Sequence, residues 1–350
     1  MKISDLGEFG LIGRIRRTYA TGTARAPIGI GDDAAALAVS PGMTVLATTD
    51  MLLEGVHFDL ATTELASLGW KAAAANLSDI AAMGGIPRFA LVGLGIPRRF
   101  AAEDIAAFYR GFMQLGRKHG LQLVGGDTCS SQGGLVISVT VLGETARKEI
   151  VTRAGARPGD GIFVTGTLGD SGAGLEILRN AECGMRKVKG RGKGPGSRVQ
   201  GKVKILIGRH LKPVPRVEWG RKIGCSGVAS AMIDVSDGLS SDLGHLCEEG
   251  GVGAEIIADR VPLSKELRQT RGLRRPALEY ALDGGEDYEL LFTVPPRNAA
   301  ALRQLRIPAT EIGTVTKAGG MRIIDRAGKA KRLVPAGYDH FRAGTRRGPS

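Results

Sequence analysis

Carboxylates recur in this chain where little else but backbone is present. Gly31-Asp32-Asp33, Thr48-Thr49-Asp50, Asn76-Leu77-Ser78-Asp79, Gly125-Gly126-Asp127-Thr128, Asp234-Val235-Ser236-Asp237-Gly238 and Gly284-Gly285-Glu286-Asp287 all set acids among glycine, alanine, serine and small apolar residues. Such segments make tight turns and offer almost no side chain to neutralise a charge. Acids of this kind are too costly to bury near one another unless something positive sits among them. The fold must therefore end strands or open helices on acid-bearing turns, and the total of 53 glycines, well above the usual share of about 7%, fits many such turns.

Mg2+ is the expected counter-charge, because it takes oxygen ligands and is usually held by a few carboxylates together with substrate phosphates. Acids on loops from both halves of the chain are expected to converge on one cleft and hold two or more such ions. Phosphoryl transfer is the natural use of that arrangement. The common phosphate cradles are missing: there is no G-x-G-x-x-G, and the nearest approach to a P-loop, Gly196 to Gly201-Lys202-Val203, carries Val203 where Ser or Thr is required.

Local pattern gives an outline of alternating strands and helices. Residues 43–49 read as a buried strand that ends on Asp50, and 62–83 as an alanine-rich helix with Thr62 or Thr63 as N-cap and Gly84-Gly85 as stop. Asp79 falls near the C-terminal end of that helix, where the macrodipole opposes a negative charge, which hints at a cation beside it. Residues 89–95, 121–124 and 135–143 read as strands and 101–119 as a helix, so the first half is β-β-α-β-α-β-β in outline, an α+β or split βαβ arrangement. Pro158-Gly159-Asp160 punctuates the chain, and a second domain follows with strands at 162–165, 229–235, 288–294 and 311–315 and helices to about 180, at 203–210 and at 238–249. The turn from Asp234 to Gly238 joins a strand end to a helix N-terminus and reads as an anion- or metal-phosphate-binding corner. Two related α/β lobes are expected, without a strict sequence repeat.

At 350 residues the chain has room for two domains, taking roughly 150 residues each. The formal charge of +13 is partly local: eight Lys and Arg from Arg186 to Lys204 fall in a Gly-rich run without an acid, and Arg342, Arg346 and Arg347 stand in the tail. That run reads as a solvated loop, and nucleic acid is not the expected partner. Cys129, Cys183, Cys225 and Cys247 show no metal-ligand or disulfide pattern, and no apolar run approaches the ~20 residues that span a bilayer, so a soluble cytoplasmic protein with reduced thiols and no membrane partner is expected.

The six acidic motifs, together with Glu54-Gly55-Val56-His57-Phe58 and Val164-Thr165-Gly166-Thr167-Leu168-Gly169-Asp170-Ser171, resemble in identity and order the thiamine-monophosphate kinase family of the aminoimidazole ribonucleotide synthetase superfamily. The likeness runs from about Leu6 to Phe341 and implies an α/β (α+β) protein of two α/β domains. These would be residues 1–150, for ATP and Mg2+ binding and dimerisation, and 151–341, completing the active site, with a basic Gly-rich insertion at 183–204 and a tail at 342–350. It implies ATP and thiamine monophosphate as substrates, several Mg2+ ions, a homodimer, and direct in-line transfer. Carried over by position, Asp33, Thr48, Thr49, Asp50, Asp79, Asp127, Asp234 and Asp237 would be Mg2+ ligands, with Asp50, Asp79 and Asp237 in the catalytic role. Tyr109, Gly126, Asp127, Arg153 and Ser236 would contact ATP, and His57, Glu286 and Tyr338 the thiamine substrate. Another ATP-using synthetase of the superfamily, or a basic nucleic-acid-binding protein, are the alternatives. The segment 183–204 is longer and more basic than the family usually carries.

Overall fold

The computed structural model describes residues 3–19, 23–30, 34–187 and 197–337. Asp33, Tyr338, the middle of the basic segment and the tail lie outside the described residues. The chain divides into two compact units, Met1–Ile150 and Val151–Ser350.

The first unit runs α1 (Ile3–Tyr19), β1 (Met43–Leu53), α2 (Leu65–Ala82), β2 (Ile86–Pro97), α3 (Ala102–Gly116), β3 (Gln122–Ser131) and β4 (Val136–Ala146). Among the described residues a helix and no strand element precedes β1, so the outline's extra leading strand is not found. The strand order is β1-β4-β2-β3, with β4 antiparallel to both β1 and β2 and β3 parallel to β2. The two strands β1 and β2 are thus parallel with β4 between them, a split βαβ unit through α2. Leu46, Leu52, Val92, Leu94, Ile137 and Val139 turn one face of the sheet into core, and α2 covers it with Leu68, Leu77 and Ile80. Val45 and Met51, of opposite pleat parity on β1, stay 46% and 55% exposed. A side-chain period of 2 separates the faces.

Two glycines set how closely the helices cross. A Cβ on Gly69 of α2 would lie 2.0 Å from the Phe108 carbonyl oxygen, and one on Gly111 of α3 would lie 1.7 Å from that of Ala66. The expected threonine cap of α2 is absent. Ala61 N donates to Asp59 Oδ1 at 2.8 Å and Thr62 Oγ1 to the Asp59 carbonyl at 3.1 Å, so an Asx turn uses these residues and the helix starts three residues later, at Leu65.

The second unit runs β5 (Gly161–Thr165), α4 (Asp170–Lys187), α5 (Ser197–Leu211), α6 (Val217–Ser226), β6 (Ala231–Asp234), α7 (Leu239–Gly250), β7 (Gly253–Ile257), α8 (Lys265–Gln269), α9 (Ala277–Asp283), β8 (Leu290–Val294), α10 (Ala299–Gln304), β9 (Ala309–Thr316), β10 (Gly320–Ile324) and β11 (Ala330–Leu333). Its seven-stranded sheet has the order β11-β10-β7-β9-β5-β8-β6, with β7 and β10 the parallel pair. Ile162, Val164, Ile233, Leu291 and Ile312 pack with Leu239, Leu243 and Leu246 of α7 into its core. The lobes differ in strand number and order, so the expected kinship does not extend to topology. Among the described residues no helix is long and apolar enough to cross a membrane.

Candidate active site

Strand β1 does not end on Asp50, as its apolar run suggests, but continues to Leu53. The pleat then decides what each motif residue faces. Thr48 and Asp50 share the parity of buried Leu46 and Leu52 and point toward α2, where the Thr48 hydroxyl donates to Asp79 Oδ2. Burial pushes the Asp50 carboxyl up to about 6, and repulsion from Asp79 adds to the rise. Asp79 stands in the last turn of α2, where the dipole also opposes its charge. Thr49 faces the other way: its hydroxyl donates to the Val139 carbonyl at 3.2 Å and accepts from Thr140 Oγ1 at 3.1 Å.

The edge strand β3 carries Gly126 at φ 153°, where an added Cβ would lie 2.0 Å from the Val92 carbonyl oxygen. Only glycine fits there. The register aligns exposed Asp127 with Gly93, Ser138 and Met51, one row beyond the row of Gly126, Val92, Val139 and Asp50. Asp127 therefore lies on the sheet face opposite Asp50 and three strand spacings away, about 14 Å. Within one chain the structure does not bring Asp127 to Asp50 and Asp79.

His57 follows β1 in a turn and accepts a hydrogen bond from Leu53 N at Nδ1, 3.0 Å. A neutral imidazole held this way carries its proton on Nε2. Glu54 accepts from Leu135 N at 2.7 Å and pairs with Arg99, which ties this turn to the start of β4. Tyr109 is 3% exposed, its ring packed on Tyr19 and edge-on to Phe108 in the helical layer.

In the second unit, β6 delivers buried Asp234 into a turn through Ser236 and Asp237 to Gly238, at φ 109°. The N–H groups of Ser236, Asp237 and Gly238 all donate to Asp242 Oδ2, at 3.1, 3.2 and 3.1 Å. At the corner expected to bind an anion or a metal phosphate, these three donors are taken by the protein's own carboxylate. Burial pushes the Asp242 carboxyl well above its ordinary range, and Asp234 and Asp237 add to the rise against the pull of the backbone donors. Asp242 thus shapes the loop that carries Asp234 and Asp237.

The Gly284-Gly285-Glu286-Asp287 segment lies against this loop. Glu286 N donates to the Ser236 carbonyl at 2.7 Å and Tyr288 N to that of Val235 at 2.9 Å. Glu286 and Tyr288 hold left-handed backbone at φ 57° and 51°, so strand β8 begins at Leu290 rather than at 288. Asp287 accepts from Gly169 N at 2.7 Å and Ser171 N at 3.3 Å, fastening the segment to the turn after β5, and desolvation pushes its carboxyl well above the ordinary range. The buried His210 of α5 comes within 3.3 Å of Glu286 Oε2. Arg153 is exposed in a short turn before β5.

Two acid sets are therefore assembled: Asp50 with Asp79, and Asp234 with Asp237 around Asp242. Among the described residues no three side chains of His, Cys, Asp and Glu form a metal cage by themselves. Paired carboxylates suit a hard cation that shares its shell with substrate phosphates and water. Neither Asp242 nor His210 is among the site residues expected from the sequence; the signal for Asp242 was its place four residues after Gly238, and for His210 there was none.

Residues 31–145 match the model of the AIR synthase related protein N-terminal domain, and residues 157–326 that of its C-terminal domain. Fold and acid-bearing turns together are thus those of a two-domain AIR synthase related protein. A thiamine-monophosphate kinase of Aquifex aeolicus (strain VF5) is 38% identical over 97% of this chain and 100% of its own length. The solved thiamine-monophosphate kinase of Stenotrophomonas maltophilia K279a has a TM-score of 0.78 at 37% identity, covering 93% of this chain and 98% of that one. AaThiL complexed with AMPPCP and TMP gives 0.73 at 38% identity over 97% and 99%. The chain belongs to the thiamine-monophosphate kinase family of enzymes.

Proposed function

We propose that this chain transfers the terminal phosphoryl group of ATP to the phosphate of thiamine monophosphate, giving ADP and thiamine diphosphate. The observation that carries this reading is identity of 38% over nearly the whole length of both chains, including a relative solved with AMPPCP and TMP. The residues support it. A phosphate monoester with a second pKa of about 6 is already largely ionised at neutral pH, so the acceptor needs no general base. The protein's task is to align two polyanions.

Asp50, Asp79 and the Thr48 hydroxyl on one unit, and Asp234 and Asp237 on the other, would hold Mg2+; Asp33 and Asp127 complete the ligand set implied by the family, whereas the Thr49 hydroxyl is turned away. Bound Mg2+ supplies neutralisation of the phosphate charges. Gly126, exposed on β3, would present its backbone to ATP, and Arg153 and Ser236 offer donors to it. His57 presents its Nε2–H to an acceptor on the thiamine moiety, and the Glu286 carboxylate suits its cationic ring system and exocyclic amine. Transfer is in-line, without a phospho-enzyme.

The sheet face opposite α2, with Val45, Thr49 and Met51, serves a homodimer. A reaction that consumes ATP belongs in the cytoplasm, where the free thiols of Cys129, Cys225 and Cys247 stay reduced. The test is formation of thiamine diphosphate from ATP, Mg2+ and thiamine monophosphate by the purified chain. Phosphorylation of a different acceptor in its place, or a phosphorylated protein trapped in a single turnover, would overturn the corresponding step.

A further inference from the structure

The part of the second unit that the proposed reaction leaves unused is the buried contact behind Glu286. His210 lies on α5, its side chain 5% exposed, and its Nδ1 sits 3.3 Å from Glu286 Oε2 and 3.1 Å from Ser171 Oγ. The Glu286 side chain is 28% exposed. A buried imidazole thus backs a carboxylate that reaches solvent.

The surrounding bonds all act on the segment that carries this carboxylate. Glu286 is held in left-handed backbone at φ 57°, a conformation that costs a non-glycine residue about 1 kcal/mol or more. Its N–H is fixed on Ser236, next to the turn of Asp234 and Asp237. Asp287, the next residue, takes the Ser171 N–H, and Ser171 in turn contacts His210 through its hydroxyl. Ser171 therefore registers the backbone of the Glu286 segment and the ring that faces its side chain at once. A histidine placed only to fill the core needs neither a carboxylate partner nor a second bond to the loop that carries it.

We propose that His210 is a positioning residue for substrate recognition, holding the Glu286 carboxylate in the orientation that receives the thiamine ring system. The inference rests on the role given to Glu286 above. It acts through Nδ1, whose proton bonds one carboxylate oxygen and prevents the side chain from rotating out of the site. The contribution falls on binding of the thiamine substrate and not on ATP or on the transfer step.

Steady-state kinetics of the full chain with Mg2+ test this, using His210→Leu, His210→Asn, His210→Gln and Glu286→Gln. Leucine removes the donor and should raise KM for thiamine monophosphate about tenfold, the effect of one lost charge-assisted hydrogen bond, with kcat and KM for ATP within about twofold. Asparagine places an amide N–H where Nδ1 stands and should keep KM within about twofold; glutamine, whose amide reaches the Nε2 position, should not. Leucine added to Glu286→Gln should raise KM little further, because both changes break one interaction. Unchanged KM in the leucine variant, full additivity with Glu286→Gln, or equal loss of kcat and both KM values would overturn the inference. Should the leucine variant not fold, the comparison of asparagine with glutamine decides: equal KM values sink it. A wild-type chain that forms no thiamine diphosphate would instead remove the functional reading.

Discussion

Replacing Asp50 by asparagine should make the metal-free protein more stable and inactive at once. The Asp50 carboxyl moves from its ordinary 3.8 to about 6, through burial first and Asp79 second. The fold thus binds this proton more tightly than the unfolded chain does. Between pH 3.8 and 6 the folded state carries more proton than the unfolded one, so stability falls as pH rises, and above 6 the whole cost is present. Two pKa units correspond to about 3 kcal/mol, and partial access of water brings the figure to about 1.5–3 kcal/mol. The amide of the Asp50→Asn variant keeps the shape and removes the charge. In EDTA at about pH 8 the melting temperature should rise by about 3–12 °C, taking about 2–4 °C per kcal/mol for a unit of this size, and the gain should vanish near pH 4. Excess Mg2+ should stabilise the wild type more than the variant and narrow the gap, because only the wild type regains a partner for its charge. Scanning calorimetry with and without Mg2+ at both pH values makes the measurement, alongside a turnover assay expected to read background. A variant no more stable than wild type in EDTA at the higher pH would refute the claim that Asp50 and Asp79 are strained for want of a cation.

Three further outcomes follow from single contacts. Gly126→Ala places a methyl 2.0 Å from the Val92 carbonyl at φ 153° and should cost about 3 kcal/mol or more in urea unfolding, whereas Gly125→Ala, whose added carbon meets only Leu91 Cδ2 at 3.2 Å, should cost far less. Asp242→Ala strands three N–H groups and should lose about 2–4 kcal/mol and raise the Mg2+ needed for half-maximal rate, while Asp242→Asn keeps an acceptor, relieves repulsion from Asp234 and Asp237, and should stay within about 1 kcal/mol of wild type; equal melting of the two variants would contradict the assigned role. Met51→Lys sets a charge on the face of the first sheet opposite α2 and should convert the proposed homodimer to monomer in size exclusion with light scattering, an unchanged mass ruling that face out as the interface.

What could be read from the residues follows the range of the interaction involved. The run Met43 to Thr49 is rich in β-formers and the stretch before Gly84 is helical by pattern, so β1 and α2 and the acids they carry were legible, whereas Gly125-Gly126-Asp127, read as following the end of a strand, lies inside β3, which runs on to Ser131. The direction of each acid was not. Thr48, Thr49 and Asp50 look equivalent in the sequence, but continuation of β1 to Leu53 lets the pleat send Thr49 away from its neighbours. Asp127 looks like a companion of Asp50 until β4 enters between β1 and β2 and puts three strand spacings and a change of face between them.

The second unit shows the same limit in a sharper form. A strand end followed by a helix N-terminus predicts donors for an anion, and the donors are there; which anion they hold depends on whether a side chain one turn into α7 folds back, and Asp242 does. That single bond set changes the electrostatic meaning of the corner, from donors open to an anion to donors already held by a carboxylate beside Asp234 and Asp237. The local signal is right about geometry and silent about sign. Asp50 and Asp242 thus share one design on different scaffolds: a carboxylate whose proton affinity burial and a neighbouring acid raise, beside a second acid held in place by secondary structure. A chain built so would be simpler to stabilise with amides at these positions, and their acidity is best explained by what it must bind.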